Sequence, residues 1–278
     1  ASWIVMTFPS IEQPALWDAW STKFGSANPA PAPAIEGLIC PSDPPDIPSD
    51  PYTNYVANAG RAFRDSVRPD KASENSADGV FVDDNRNLAN VSAYGPQDDR
   101  DTGNNMPNNK PQSRLEVSLG TIVDGTSKTM MLSENMNAWY WSHGKVNDSS
   151  TIKDTKHTFG FIWKNPTTTG QPAQHERING DRNFDLTDAP KFMSDDDGSP
   201  GPYWYDALLT YESYGYPSSN HSGGVNMAFC DGHISFVAET MDPLVYGKLM
   251  TSNRNRSSLT DSAGVAERKL PAPSDSDY

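Results

Sequence analysis

The first large apolar side chains lie between residues 3 and 24 and are interrupted by two prolines. A proline inside a helix removes a backbone hydrogen bond and clashes with the preceding turn. Pro9 and Pro14 therefore predict two short helical pieces in residues 1–25, where one long helix would otherwise form. The apolar positions concerned are Trp3, Met6, Ile11, Leu16, Trp17, Trp20 and Phe24.

Further along the chain, short apolar runs separated by turn residues predict β-strands. Leu115, Val117 and Leu119 alternate with polar residues, which is typical of a strand with one buried face. Asp124-Gly125 predicts the turn that precedes the next apolar run. The predicted strands lie at residues 54–58 and 115–119, with two more within 139–163, and residues 130–132 are expected to continue the core.

The clearest local pattern is a β-hairpin around Asp231-Gly232, which separates two alternating runs. A two-residue loop of this type favours a type I′ turn, in which both residues have positive φ. Cys230 would then oppose His233, and Phe229 would oppose Ile234. This register predicts one apolar face made of Met227, Phe229, Ile234 and Phe236, and a second face made of Asn226, Ala228, Cys230, His233 and Ser235.

After the hairpin, Asp242-Pro243 combines a helix N-cap with a proline at the first helical position. A helix over Leu244–Met250 is therefore expected. The last residues are polar, and residues 255–278 are predicted to form a flexible tail.

The chain is predicted to form one loop-rich domain over residues 1–278. Hydrophobic residues make up 35% of it, with 20 Gly and 23 Pro, so short elements between turns are expected. Two polar stretches, 64–113 and 142–202, have the character of loop insertions. The formal net charge of −14 argues against a nucleic-acid partner and favours solubility or attraction of divalent cations.

The sequence offers no recognisable nucleophile site, so no catalytic residue is assigned and the chain is predicted not to be an enzyme. Asp195, Asp196 and Asp197 stand beside a glycine, and their oxygens suit Ca²⁺, although a solvated loop is the alternative. A weaker alternative is a Zn²⁺ set made of His221, His233 and Asp231.

The two cysteines, Cys40 and Cys230, permit one disulfide. Two separate buried thiols are the alternative, because the sequence does not show whether their Cα atoms lie within about 7 Å of each other.

Five stretches, taken in order, resemble one known family. The segment His221–Gly232 has a histidine, nine residues and then Asp-Gly, and Leu38–Asp43 ends in Cys-Pro-Ser-Asp. These features, with the segments 3–16, 54–60 and 122–134, are similar to the prepilin-type processing-associated H-x(9)-D-G family. The matching motif residues are Asn54, Asn58, Gly60, Asp124, Gly125, Thr126, Ser127, Glu134, His221, Asp231 and Gly232.

The resemblance implies an α+β, pilin-like body in which an N-terminal helical segment, the remnant of a stalk, packs on an antiparallel sheet. It implies an extracellular or envelope location and self-association or contact with other pilin-like subunits. Membrane attachment would occur only through an N-terminal helix that precedes Ala1. The motif residues are expected to have structural roles. The chain departs from the family at Lys128 and Cys230, where asparagine and a small residue are usual.

Two functions are therefore carried forward. The first is a structural pilin or pseudopilin-like subunit associated with secretion or the cell surface, which could form filaments. The second is a secreted module that binds Ca²⁺ or glycans through its acidic loops and the aromatic run at residues 203–216.

Overall fold

A computed structural model describes residues 3–21, 31–61, 77–81, 117–136, 138, 141–142, 160–163, 177–180, 215–257, 259 and 273. The α-helices are α1 (Trp3–Thr7), α2 (Pro14–Ser21) and α3 (Pro243–Met250). The strands are β1 (Tyr55–Arg61), β2 (Met130–Glu134), β3 (Gly160–Trp163), β4 (Gly224–Phe229) and β5 (Ile234–Ala238). Short 3₁₀ helices occupy Phe8–Ser10, Glu36–Leu38, Leu119–Thr121 and Thr126–Lys128. Among the helices in these ranges, none combines the length and apolar character needed to span a bilayer.

The strands form one five-stranded sheet in the order β3-β1-β2-β4-β5. Three of its pairings are antiparallel, whereas β1 and β3 run parallel. The α+β fold class is therefore confirmed, with a mixed sheet in place of the fully antiparallel one that was expected.

The N-terminal prediction of two helical pieces is also confirmed. The 3₁₀ turn that contains Pro9 ends α1, and Pro14 begins α2. The predicted strand at 115–119 is wrong in its described part, because Leu119 starts a 3₁₀ helix. Ser118 caps that helix by donating its backbone N–H to Thr121 Oγ1 at 2.9 Å. This local bond competes with the backbone pairing that a strand would need.

The hairpin forms, but its register differs by one residue from the predicted one. Phe229 N–H donates to His233 O at 2.9 Å, so the loop contains three residues, Cys230, Asp231 and Gly232. Only Gly232 has positive φ (+93°), as in a type I turn closed by a left-handed glycine. Because side chains alternate along a strand, this one-residue shift reverses the face of β5. Ile234 and Phe236 therefore point away from the buried side chains Val225, Met227 and Phe229.

The main core lies between the sheet and α3. It contains Val56, Met130, Phe161, Trp163, Met227, Phe229, Leu249 and Met250, among others. Asp242 caps α3 as predicted, accepting from the backbone N–H of Leu244 at 2.8 Å. Asn58 joins these elements from a fully buried position, because its amide donates to Met130 O and Met250 O, both at 2.8 Å.

The N-terminal helices belong to a second apolar cluster, which contains Ile4, Val5, Phe8, Trp20, Ile35, Leu38 and Trp141. Trp141 is its centre: Phe8 meets the Trp141 ring edge-on at 5.2 Å, and the indole N–H of Trp141 donates to Pro33 O at 3.1 Å. Trp20 donates in the same way to Pro31 O at 3.0 Å. The described part of the proline-rich segment thus serves as packing surface for α1 and α2.

Two backbone segments touch where β1 ends. A Cβ on Gly79 would lie 2.6 Å from the Cα of Gly60, so neither position has room for a larger residue. The backbone N–H of Phe81 donates to Asn58 O at 2.8 Å and anchors this segment to β1. The structure thereby accounts for Gly60, which has a φ of +81°.

Candidate metal centre

Three distant segments meet at the C-terminal end of β2. Glu134 is the last residue of that strand. Cys40 follows the 3₁₀ helix Glu36–Leu38, and His221 lies in the turn that leads into β4. The contact between Cys40 and His221 joins residues 181 positions apart in the sequence.

The donor atoms of these three side chains form a compact triangle. Cys40 Sγ lies 3.6 Å from Glu134 Oε1 and 3.7 Å from His221 Nε2. His221 Nε2 lies 3.1 Å from the same Glu134 oxygen. Cys40 and Glu134 are buried, with 4% and 5% of their surface exposed, whereas 31% of the His221 side chain is exposed. One thiol, one carboxylate and one imidazole thus converge, with solvent access on the histidine side.

Glu134 is held in place from the neighbouring strand. Asn226 in β4 donates its backbone N–H to Glu134 Oε2 at 2.8 Å and its side-chain amide to Oε1 at 3.2 Å. The Glu134 backbone carbonyl accepts from Ser218 N–H at 3.2 Å. Both carboxylate oxygens are therefore fixed in direction by β4.

A second network fixes Cys40. Its backbone N–H donates to Asn54 Oδ1 at 2.8 Å, and the Asn54 amide donates to Asp43 Oδ2 at 2.7 Å. Asn220, next to His221, donates to Asp43 Oδ1 at 3.0 Å. Asp43 thus connects the Cys40 loop to the His221 turn.

His221 is positioned by its own turn. Its backbone N–H donates to Ser219 Oγ at 3.1 Å, and that hydroxyl donates to Gly224 O at 2.8 Å. The turn is therefore bonded to the first residue of β4, which fixes the imidazole relative to the sheet.

Burial and negative charge govern the protonation of this region. Burial raises the pKa of the Cys40 thiol, and the Glu134 carboxylate raises it further. Burial is also the main cause of the raised pKa of Asp43, to which the charge of Glu134 adds. The pKa of Tyr55, at the start of β1, is raised by burial first and then by Cys40 and Glu134. Each of these three groups is therefore shifted toward its protonated form.

The motif residues Asp124–Ser127 lie away from this site, near the end of α3. Asp124 Oδ2 accepts from the Thr251 hydroxyl at 3.1 Å and from Arg254 N–H, and its pKa is raised mainly by burial. Gly125 N–H donates to Ile122 O at 3.4 Å, in agreement with the predicted turn. Thr126 O accepts from Asp231 N–H at 3.2 Å and so ties this turn to the hairpin loop. Ser127 lies inside the 3₁₀ helix that follows Gly125.

Asp231 bonds within its own turn. Its Oδ1 accepts the His233 backbone N–H at 3.1 Å and lies 2.6 Å from His233 Nδ1. His233 also stacks on Phe229, with ring centroids 4.3 Å apart. The zinc set considered from the sequence, His221 with His233 and Asp231, is therefore wrong, because His221 lies at the opposite end of β4 beside Cys40 and Glu134.

The two cysteines are free thiols, so the disulfide alternative is wrong and the two-thiol alternative holds. Cys230 N–H donates to Thr129 O at 3.0 Å, at the start of β2, whereas Cys40 contacts Glu134 at its end. Five residues of strand span about 16 Å, well beyond the Cα separation of about 7 Å that a disulfide tolerates. Burial raises the pKa of Cys230 to about 11.

The remaining predicted sites are the acidic loop and the aromatic run. Asp195, Asp196 and Asp197, proposed for Ca²⁺, and most of the aromatic run at 203–216 lie outside the described residues. Tyr216 is described: it is buried and stacks on Tyr246 at 5.8 Å.

Sequence reasoning singled out Glu134 and His221 as motif residues and Cys40 as a thiol, but it did not bring them together. Asn220 was missed, whereas Asp43 and Asn226 were noted only as part of a motif and of a hairpin face. The one usable indication was that Cys40, Asn54, Glu134 and His221 each belong to a different family-like motif.

A model of the family described as a protein of unknown function, DUF1559, matches residues 1–244 of the chain. No curated protein and no solved structure shows significant similarity to this chain.

Proposed function

The chain belongs to the DUF1559 family, and from that premise we propose that it is a pilin-like structural subunit of a cell-surface or secretion-associated assembly. The family is associated with prepilin-type and pseudopilin-like proteins. The proposal includes the narrower assignment to the H-x(9)-D-G group.

The spacing of that motif supports an architectural role. The nine residues between His221 and Asp231 consist of a short turn, strand β4 and the first residue of the hairpin loop. The motif therefore corresponds to one strand with its two flanking turns. Asp231 bonds its own turn, which is the behaviour of a structural residue.

The observation that carries the proposal is an exposed apolar face on β5. This strand is at the edge of the described sheet. Ile234 is 71% exposed and Phe236 is 49% exposed, on the side opposite the core. An edge strand with unpaired backbone groups and exposed apolar side chains is prone to pair with another chain. Contact between identical subunits through such an edge would generate a regular assembly.

The first experiment is electron microscopy and sedimentation velocity of natively isolated material. We expect filaments or regular arrays, and replacement of Ile234 by serine should weaken self-association at least tenfold. Leu119→Ser is the matched control, because Leu119 is 66% exposed but lies in a 3₁₀ helix outside the sheet. Material that stays monomeric at all concentrations, or equal weakening by both substitutions, would contradict the proposal.

The same proposal assigns the chain an extracellular or envelope location, no catalytic activity and partners that are copies of itself or related pilin-like subunits. Any membrane attachment would come through an N-terminal helix of the prepilin type. The support for these points is the family membership, and the net charge of −14 further disfavours a nucleic-acid partner.

A further inference from the structure

We propose that Cys40, Glu134 and His221 form a binding site for one zinc ion. The three side chains supply one sulfur, one nitrogen and one oxygen donor, all within 4.8 Å of one another. A thiolate with an imidazole is the donor combination that selects zinc and similar transition metals, whereas calcium and magnesium require oxygen ligands. The site is therefore distinct from the Ca²⁺ binding predicted for the acidic loops.

The spacing of the donor atoms matches a zinc tetrahedron. Zinc binds sulfur at about 2.3 Å, and nitrogen and oxygen at about 2.0–2.2 Å. At tetrahedral angles these lengths separate sulfur from either lighter donor by about 3.5–3.6 Å, and nitrogen from oxygen by about 3.3 Å. The observed separations are 3.6 and 3.7 Å for the sulfur pairs and 3.1 Å for His221 Nε2 to Glu134 Oε1. An ion can thus be coordinated with shifts of a few tenths of an ångström.

The surrounding hydrogen bonds hold the ligands ready for a metal. Asn226 fixes both oxygens of Glu134, and Asn54 fixes the backbone of Cys40. Outer partners of this kind orient metal ligands and raise affinity, because less ordering is required when the ion binds. The three ligands come from segments far apart in the chain, so the ion would also join these segments in the folded state.

Three protein ligands leave one tetrahedral position for another ligand. Cys40 and Glu134 are buried, but the His221 side chain is partly exposed, so the fourth position is reached from the solvent side. Zinc sites with three protein ligands hold water or an incoming ligand in that position, unlike closed sites with four protein ligands. The site would therefore bind one exchangeable solvent molecule.

The test uses the whole chain of residues 1–278, freed of metal with a chelator and titrated with Co²⁺ and then Zn²⁺. We expect one Co²⁺ per chain, with a thiolate-to-cobalt charge-transfer band and the visible spectrum of tetrahedral cobalt. One equivalent of Zn²⁺ should remove both features. Cys40→Ser should abolish the charge-transfer band, and His221→Gln should lower zinc affinity at least about 100-fold, since even outer-partner changes cost about 10–100-fold.

The hairpin end of β4 provides matched controls. Cys230→Ser removes the other buried thiol, and His233→Gln removes a histidine of the same hairpin. Both variants should keep the stoichiometry, the spectrum and the affinity of the unmodified chain. His221→Gln is the more robust test of the site, because its side chain is partly exposed and its replacement leaves the core intact.

Three results would overturn the zinc assignment. They are the absence of a thiolate band in the unmodified chain, equal metal affinity in His221→Gln, and loss of the band in Cys230→Ser with retention in Cys40→Ser. Circular dichroism of each metal-free variant establishes that the fold is retained. Because the readout is metal binding by single chains, its result does not depend on whether the protein assembles.

Discussion

The two ends of strand β4 present the same three chemical groups in opposite ways. At its start, His221 meets Cys40 and Glu134, which come from distant segments and are both buried. At its end, the hairpin supplies a cysteine, an aspartate and a histidine within four consecutive residues, Cys230–His233. There the aspartate and histidine bond each other at the surface, and the thiol is buried apart from them.

The difference shows that composition alone does not make a site. Residues adjacent in sequence satisfy one another as a turn, and the local backbone determines their geometry. Residues that converge from three segments can share a single point in space, and here the sheet holds them there. Side chains assembled over long range are therefore the better candidates for ligand chemistry in this fold.

The largest expected effect is a loss of folding stability at the start of β4, where buried hydrogen bonds hold the Cys40 segment. Asn54→Ala leaves the buried Cys40 N–H without its acceptor and removes one of the two amide donors to Asp43. We expect a loss of about 2–3 kcal/mol in the free energy of unfolding, measured by chemical denaturation, because unsatisfied buried groups cost about 1–3 kcal/mol each. The control Asn220→Ala removes an exposed bond to the same Asp43 and should change stability by less than about 0.5 kcal/mol. Equal losses of stability in the two variants would show that the buried hydrogen bonds of Asn54 do not stabilise the Cys40 segment.

The next effect concerns the backbone of the hairpin end. Gly232 has a φ of +93°, so Gly232→Ala forces an L-residue into a left-handed conformation. We expect a loss of about 1–2 kcal/mol in the same denaturation assay. Gly37→Ala is the control, because a Cβ at Gly37 meets nothing within 4 Å, and it should cause no loss. If Gly232→Ala were also neutral, the three-residue loop would be incorrect.

The smallest effect is electrostatic and lies at the surface. The bonds from the His233 backbone and ring lower the pKa of Asp231 below its usual 3.8. The ionised carboxylate therefore favours the folded state above pH 3.8, and this contribution disappears as the pH falls through the lower folded-state pKa.

A carboxyl NMR titration should detect this lowering. In His233→Ala the pKa of Asp231 should rise only part of the way to 3.8, because the backbone N–H, which is the larger cause, remains. If the pKa of Asp231 were at or above 3.8 in the unmodified chain, the bonds within the hairpin turn would not stabilise its carboxylate. The contrast with the long-range cluster at the start of β4 would then be lost.

Short sequence patterns correctly predicted the helix boundaries that depend only on neighbouring residues. Pro9 and Pro14 divide the N-terminal helix, and Asp242 caps α3, because proline and N-cap residues act within one turn. The hairpin location was also predictable. Its register was not, because Asp-Gly fits both a two-residue loop and the last two positions of a three-residue loop.

The convergence of Cys40, Glu134 and His221 was beyond the reach of sequence patterns for a different reason. Cys40 and His221 are 181 residues apart, and no local periodicity encodes such a contact. Their meeting depends on the order of strands, in which β2 pairs with β4 although 89 residues lie between them. The exposed positions of Ile234 and Phe236 were mispredicted because a one-residue shift exchanges the two faces of a strand.

The contact between Gly60 and Gly79 has a consequence for engineering the protein. The chain leaves β1 and returns to it at nearly the same point, where two backbones touch without side chains. An engineered variant should therefore keep both glycines, because an added Cβ would push the two backbones apart and weaken the bond from Phe81 N–H to Asn58 O.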